Sequence, residues 1–164
     1  MEIVFDSSSL ILLAKIDILR IVANNYQVSI PDVVRGECTI KDSFDAKMIS
    51  ALIDKGQIKV IKIEKPHSLN AVCKDFNIHK GEAEALTLAL QRKCPLAVDD
   101  LPTIKACKIL DHKFITAIHF LINLADSAKI DKKSALVKLE KLSYFGRYNN
   151  RIIADAVKRI GGNE

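Results

Sequence analysis

The chain is poor in the residues that mark special architectures. Six glycines and four prolines in 164 residues exclude collagen-like and low-complexity compositions. The four cysteines, Cys38, Cys73, Cys94 and Cys107, form no Cys-x-x-Cys pair and have no histidine at zinc-finger spacing. They read as reduced, mostly buried thiols, not as a disulfide framework or a structural zinc site. Long apolar runs are missing too: stretches such as residues 10–14 fall far short of the roughly 20 residues that span a bilayer. The opening MEIVFD carries no basic segment ahead of a long apolar one. These absences predict a protein that neither enters a membrane nor is secreted, and hence a cytoplasmic location.

What is present is an ordinary globular composition, 49% hydrophobic and 27% charged, at a length that suits one domain. Its charge is unevenly placed. Residues 1–128 hold sixteen Lys or Arg against sixteen Asp or Glu, whereas residues 129–164 hold nine against four, so the net +5 belongs to the C-terminal part. A local basic surface of this kind attracts phosphate, although a lysine-rich helical face is commonly plain solvated surface.

Apolar periodicity predicts extended runs at 3–5, 27–30, 59–63 and 96–98, with a weaker one at 113–116. Helical patterns cover 9–23, 32–40, 44–54, 81–93, 103–110, 117–125, 132–142 and 150–160. Strands alternating with helices imply a three-layer α/β/α sandwich with a short, mainly parallel sheet, because parallel strands need helical crossovers. The expected organisation is a domain over residues 1–128 and a basic helical extension, 129–164, packed on it. The stretch 64–77 around Pro66 is the least readable. Ser7, Ser8 or Ser9 suits a helix cap after the first strand, and Pro31 suits the first position of the helix after the second.

The acids fall at telling places. Asp6 ends the apolar run Ile3-Val4-Phe5, and Asp99-Asp100 end Leu96-Ala97-Val98, so both groups stand at the carboxyl ends of strands, where open α/β sheets bind ligands. Glu37 follows Val33 and Val34 by four and three residues and precedes Ile40 by three, which predicts a shared inward face. In the helix 81–93, Ala85, Leu86, Ala89 and Leu90 cluster within about 80° of Glu82, and Glu84 falls about 200° away. Glu82 is thus expected at the centre of the buried face and Glu84 toward solvent. Carboxylates buried together must be balanced by internal cations, shared protons or a divalent ion, and all-oxygen ligands favour magnesium or manganese. A plainer reading makes the same acids helix caps and surface ion pairs.

Four segments, IVFDSSSLILLAKI, IPDVVRGEC, GEAEALTLAL and LAVDD, occur in the order seen in the PIN-domain nucleases. The chain resembles that family to about residue 120, and within it the toxin subunits of VapBC-type toxin–antitoxin pairs and their PIN-like relatives. The resemblance implies a metal-dependent ribonuclease in which Asp6, Glu37, Glu82 and Asp99 are the catalytic, Mg²⁺- or Mn²⁺-binding acids. Ser7 or Ser8 takes the family's hydroxyl position, and Glu84 is a supporting acid. Two departures stand out: a Glu replaces the usual Asp at the third acid, and the pair Asp99-Asp100 replaces a Thr-x-Asp turn, leaving both as candidate ligands. The resemblance further implies an RNA substrate, a homodimer and a small antitoxin partner.

In the basic tail, Arg147, Arg151 and Arg159 are candidate RNA contacts, with Tyr144, Phe145 and Tyr148 able to stack on unpaired bases or to pack on the core. The four histidines read as bystanders: His67 and His112 as loop surface, His79 as a loop residue, His119 as a hydrogen-bonded, partly buried one. Two other readings compete. One is a PIN-like module that binds RNA or protein without cleaving. The other is a magnesium-binding phospho-receiver, disfavoured by the helix-borne Glu37 and Glu82 and by the missing glycine-rich phosphate loop.

Overall fold

A computed structural model describes residues 1–63 and 69–162. His67 lies outside them. The elements run β1 (Glu2–Phe5), α1 (Ser7–Lys15), α2 (Leu19–Asn25), β2 (Gln27–Pro31), α3 (Asp32–Thr39), α4 (Phe44–Asp54), β3 (Ile58–Ile61), α5 (Leu69–Phe76), α6 (Lys80–Arg92), β4 (Leu96–Ala97), α7 (Leu101–Ile109), β5 (Phe114–Ile115), α8 (Ala117–Asp126), α9 (Lys132–Phe145) and α10 (Asn150–Gly161). The five strands form one sheet in the order β3-β2-β1-β4-β5, and every pairing is parallel. The fold is the three-layer α/β sandwich that the alternation of strands and helices predicts.

Strand order carries the functional consequence. The chain leaves β1 toward β2 and β3 on one side, then returns to place β4 on the other side of β1. The order therefore reverses beside β1, and in open parallel sheets the crevice at such a reversal, at the carboxyl ends of the strands, is where ligands sit. Register brings two acids to it. Val4 pairs with Leu96 and Phe5 with Ala97, and the Asp6 amide donates to the Ala97 carbonyl at 3.1 Å. Asp6 and Asp99 thus leave adjacent strands at the same end.

The sheet is short and buried because its strands are almost wholly apolar. Ile3, Val4, Phe5, Ile30, Leu96 and Ala97 have no solvent exposure. The Phe5 ring stacks on Phe120 of α8 at 5.4 Å, and Tyr26 meets Phe120 edge-on. The last two helices join this core through Leu139, Leu142, Ala156 and Ile160. Lys138 of α9 also donates to the Ile16 and Asp17 carbonyls at 3.0 and 3.1 Å, placing a cation at the carboxyl end of α1, where the helix dipole favours it.

Three local expectations are corrected. The single helix over 9–23 is two, since Asp17 turns left-handed at φ +57 between buried Ile16 and Ile18. Apolar spacing runs through that break unaltered. The α1 cap is Asp6, whose carboxylate accepts from the Ser9 amide at 2.9 Å, and not a serine. Helix α5 lies in the stretch that periodicity left blank. No helix among the described residues is long and apolar enough to cross a membrane.

Candidate active site

Asp6 has no solvent exposure. Its two oxygens take the Ser8 hydroxyl at 2.6 Å and the Ser9 amide at 2.9 Å. Burial nevertheless pushes its carboxyl up to about 7, with Asp99 and Glu82 adding repulsion that those hydrogen bonds do not offset. Asp99 is raised as well, chiefly by burial, against hydrogen bonds from Ser9, Tyr148 and the Ala117 amide. Glu82, in the first turn of α6, leaves Oε2 buried with no partner. Among the described residues, no Lys or Arg is in ion-pair distance of Asp6, Asp99 or Glu82. Three carboxylates are therefore gathered at the sheet's carboxyl edge without a Lys or Arg to pair with them, His119 alone easing Asp99 from a distance.

The pair Asp99-Asp100 divides its work. Asp99 turns toward Ser9, which donates to Oδ2 at 2.6 Å, whereas Asp100 caps α7 by accepting from the Thr103 amide and hydroxyl at 3.0 and 2.8 Å. The geometry favours Asp99 over Asp100 for the cluster. Ser8 does stand at the hydroxyl position beside Asp6 and also accepts from the Asp99 amide at 3.3 Å, tying the two acids together. The Ser7 side chain is half-buried, and its carbonyl faces the Cys38 thiol.

Two helix-face expectations fail for one reason. Glu84, expected toward solvent, is 9% exposed and pairs with Lys80 at 3.8 Å; Glu82, expected at the centre of the buried face, is only half-buried. Helix α6 touches α3, α5 and α7 as well as β1, β2 and β4. Its Gly, Ala and Thr residues admit neighbours on several sides, so no single solvent face exists for periodicity to find. Glu37 likewise is exposed, not inward: α3 ends at Thr39, Ile40 is 81% exposed, and Val34 and Cys38 form the buried stripe. Yet Glu37 is brought to the α6 start, where a Cβ on Gly81 would stand 2.5 Å from both its carboxylate oxygens. A side chain at position 81 would turn the Glu37 carboxylate aside.

Beside the acids runs a groove of about 930 Å³, lined by Glu82, Asp99 and Asp100 and by Lys15, Arg147, Arg151 and Arg159. Apolar side chains, among them Ile11, Leu12, Ile104 and Ile118, complete the lining. Phe145 takes the Lys15 ammonium over its ring at 5.1 Å, and Tyr144 is 83% exposed. Sequence reading missed two contributors: Ser9, assigned only as a possible cap, and Tyr148, whose hydroxyl donates to Asp99 Oδ1 across 49 residues. No local pattern signals such a contact. His119 is exposed, with Nδ1 2.7 Å from the Thr116 hydroxyl, His112 is half-buried, and His79 is the exposed residue preceding α6.

The donor set fits a hard divalent cation: it is all carboxylate oxygen, and the orphaned Glu82 Oε2 is the kind of atom an ion satisfies. As the side chains stand, no group of three metal-ligating side chains among the described residues closes on one point. Asp6, Asp99 and Glu82 would hold the ion, after side-chain adjustment at Asp99.

No curated protein and no solved structure matches the chain. A family model described as a PIN domain matches residues 2–162, which takes in the C-terminal helices as well as the four motifs. PIN domains are nuclease-type folds, and on this match over nearly its whole length the chain belongs to the PIN-domain family.

Proposed function

We propose that the protein is a metal-dependent endoribonuclease that hydrolyses phosphodiester bonds in RNA with Mg²⁺ or Mn²⁺. The observation that carries this reading is the uncompensated trio of Asp6, Asp99 and Glu82 at the sheet reversal, bordered by a groove with four basic side chains. A bound divalent cation supplies charge for the phosphate oxygens and lowers the pKa of water. The chain's own part is to hold that site. Asp6, fixed by Ser8 and Ser9, is the anchor; Glu82 brings a free oxygen from α6; Asp99 comes from the neighbouring strand. Glu37 stands against Gly81 at the start of α6, and Glu84 pairs with Lys80 on the other side of that helix. Arg147, Arg151 and Arg159 line the groove from which a single strand reaches the acids, and their charge offsets repulsion between phosphate and carboxylate.

The test is cleavage of labelled total RNA with Mg²⁺, Mn²⁺ or EDTA, comparing wild type with Asp6→Asn and Glu82→Gln. Both amides keep shape while removing charge. Replacing outer partners of a metal site already costs about 10- to 100-fold, so loss of a ligand should cost at least about 100-fold. Cutting that survives EDTA sinks the reading.

A second reading draws on one observation, that no three donors among the described residues stand closed around an ion. It makes the protein an inert PIN-like module that binds RNA without cutting it, and intact RNA with measurable binding would select it. The resemblance to toxin subunits extends the proposal to a toxin role with a homodimer and a small antitoxin. Growth arrest on expression, relieved by a co-expressed neighbour-encoded protein, is the corresponding test.

A further inference from the structure

Asp99 takes donors from three directions. Ser9 donates to Oδ2 at 2.6 Å, the Ala117 amide reaches Oδ2 at 3.0 Å and Oδ1 at 3.2 Å, and the Tyr148 hydroxyl donates to Oδ1. Two of these come from the core, since Ser9 and Ala117 have no solvent exposure. The third comes from the turn 146–149 that joins α9 to α10 over the groove.

That turn is shaped around the tyrosine. A Cβ on Gly146 would stand 2.6 Å from the Tyr148 ring and 2.9 Å from the Leu142 carbonyl, so the ring lies where only glycine permits. On the other side Asn149 caps α10, accepting from the Ile152 amide at 2.9 Å. Three donors hold the Asp99 carboxylate, with the single Ala117 amide hydrogen shared between both oxygens, so the Tyr148 hydroxyl is the one side-chain donor on Oδ1. A cation that takes Oδ1 in the phenol's direction displaces it. The backbone amide and the core serine are fixed by their elements; the phenol comes from the turn 146–149, and its half-buried ring packs against the core from that turn.

We propose that Tyr148 is a positioning residue that latches Asp99 away from a divalent cation and leaves Oδ1 before Asp99 joins Asp6 and Glu82 around one. The proposal rests on the metal-dependent reading above. It accounts for a hard-oxygen trio that is gathered at one crevice yet not closed on a point.

The chain has no tryptophan and three tyrosines, so tyrosine emission can be read directly. A phenol donating to a carboxylate is a quenched emitter, and release from Asp99 brightens it. The experiment titrates the full chain with Mg²⁺, following emission and, by calorimetry, affinity, in wild type, Tyr148→Phe and Tyr144→Phe. Emission should rise on binding in wild type and in Tyr144→Phe but not in Tyr148→Phe. Tyr148→Phe should bind Mg²⁺ roughly tenfold more tightly, the worth of one hydrogen bond to a charged group. Gly146→Ala, which displaces the ring but keeps the phenol, should brighten emission before any metal is added and also tighten binding; it serves if the phenylalanine variant misfolds. Equal or weaker binding by Tyr148→Phe, or a metal-induced rise that persists in it, overturns the latch while leaving the nuclease reading intact. No Mg²⁺ binding by any variant, with RNA uncut, overturns the nuclease reading and the latch with it.

Discussion

The two sides of α6 treat their acids differently. On one side Glu84 is buried beside Lys80, which offsets in part the burial that keeps its carboxyl raised. On the other, Glu82 lies close enough to Asp6 to repel it and lines one groove with Asp99, and the described residues there supply hydroxyls and amides but no cation in ion-pair distance. Glu82 and Glu84 stand two residues apart on one helix and share a chemistry, so what separates them is compensation. A charge that the chain balances by itself serves the fold. A group of charges that it leaves unbalanced raises free energy until something else arrives, and that is the mark of a binding site more than burial is.

The widest consequence is in the pH dependence of stability without metal. In the folded chain Asp6 sits at about 7, against 3.8 for the unperturbed group. Between those values the folded state holds a proton that the unfolded chain has released, so the stability that Asp6 contributes is full below about pH 4 and is lost as pH rises through 7. At roughly 1.36 kcal/mol per pKa unit the loss is on the order of 4 kcal/mol. Urea unfolding in EDTA at pH 5 and pH 8 should show about 3 kcal/mol of this decline, and Asp6→Asn should flatten most of it, since asparagine still caps α1. A variant that keeps the full slope would show that the strain lies elsewhere, and the contrast between the two sides of α6 would collapse.

A smaller effect separates the neighbours Asp99 and Asp100. Asp100 caps α7 through Thr103, and Asp99 is drawn into the cluster. Asp100→Ala should therefore cost about 1 kcal/mol of stability, the usual worth of a cap, with Mg²⁺ binding held within a few-fold. Calorimetric titration alongside denaturant unfolding reads both. A large loss of metal affinity would move the ligand role to Asp100 and enlarge the uncompensated side.

How much of this was open to a reader of the sequence depends on the range of the interaction. Strand ends were legible: Asp6 and Asp99 follow apolar runs, and a parallel sheet sends such residues to one edge. Helix faces were not, where the helix is enclosed. The 3.6-residue period assumes a wet side, and α6, flanked by three helices and three strands, lacks one, so periodicity inverts the burial of Glu82 and Glu84. Glu37 departs from its expected inward face because the apolar stripe through Ile40 runs one residue beyond the end of α3. Asp17 escaped notice since a left-handed residue leaves apolar spacing unchanged. Tyr148 was beyond reach altogether, because its meeting with Asp99 is made by packing α9 and α10 on the core.

The compensated side of α6 gives the finest test. Lys80 is 69% exposed along its side chain and lies 3.8 Å from Glu84, a distance and exposure at which ion pairs contribute little. Lys80→Met should lower stability by only a few tenths of a kcal/mol at low salt, and the difference should vanish near 1 M salt, where the screening length is about 3 Å. RNA cleavage should hold, because Glu84 lies outside the trio that Asp6 anchors. Should Lys80→Met instead abolish cutting while the chain stays folded, the lysine is reaching a substrate phosphate and not merely its own glutamate. Both sides of α6 would then belong to one site, and compensation by Lys80 would be a resting arrangement that RNA replaces.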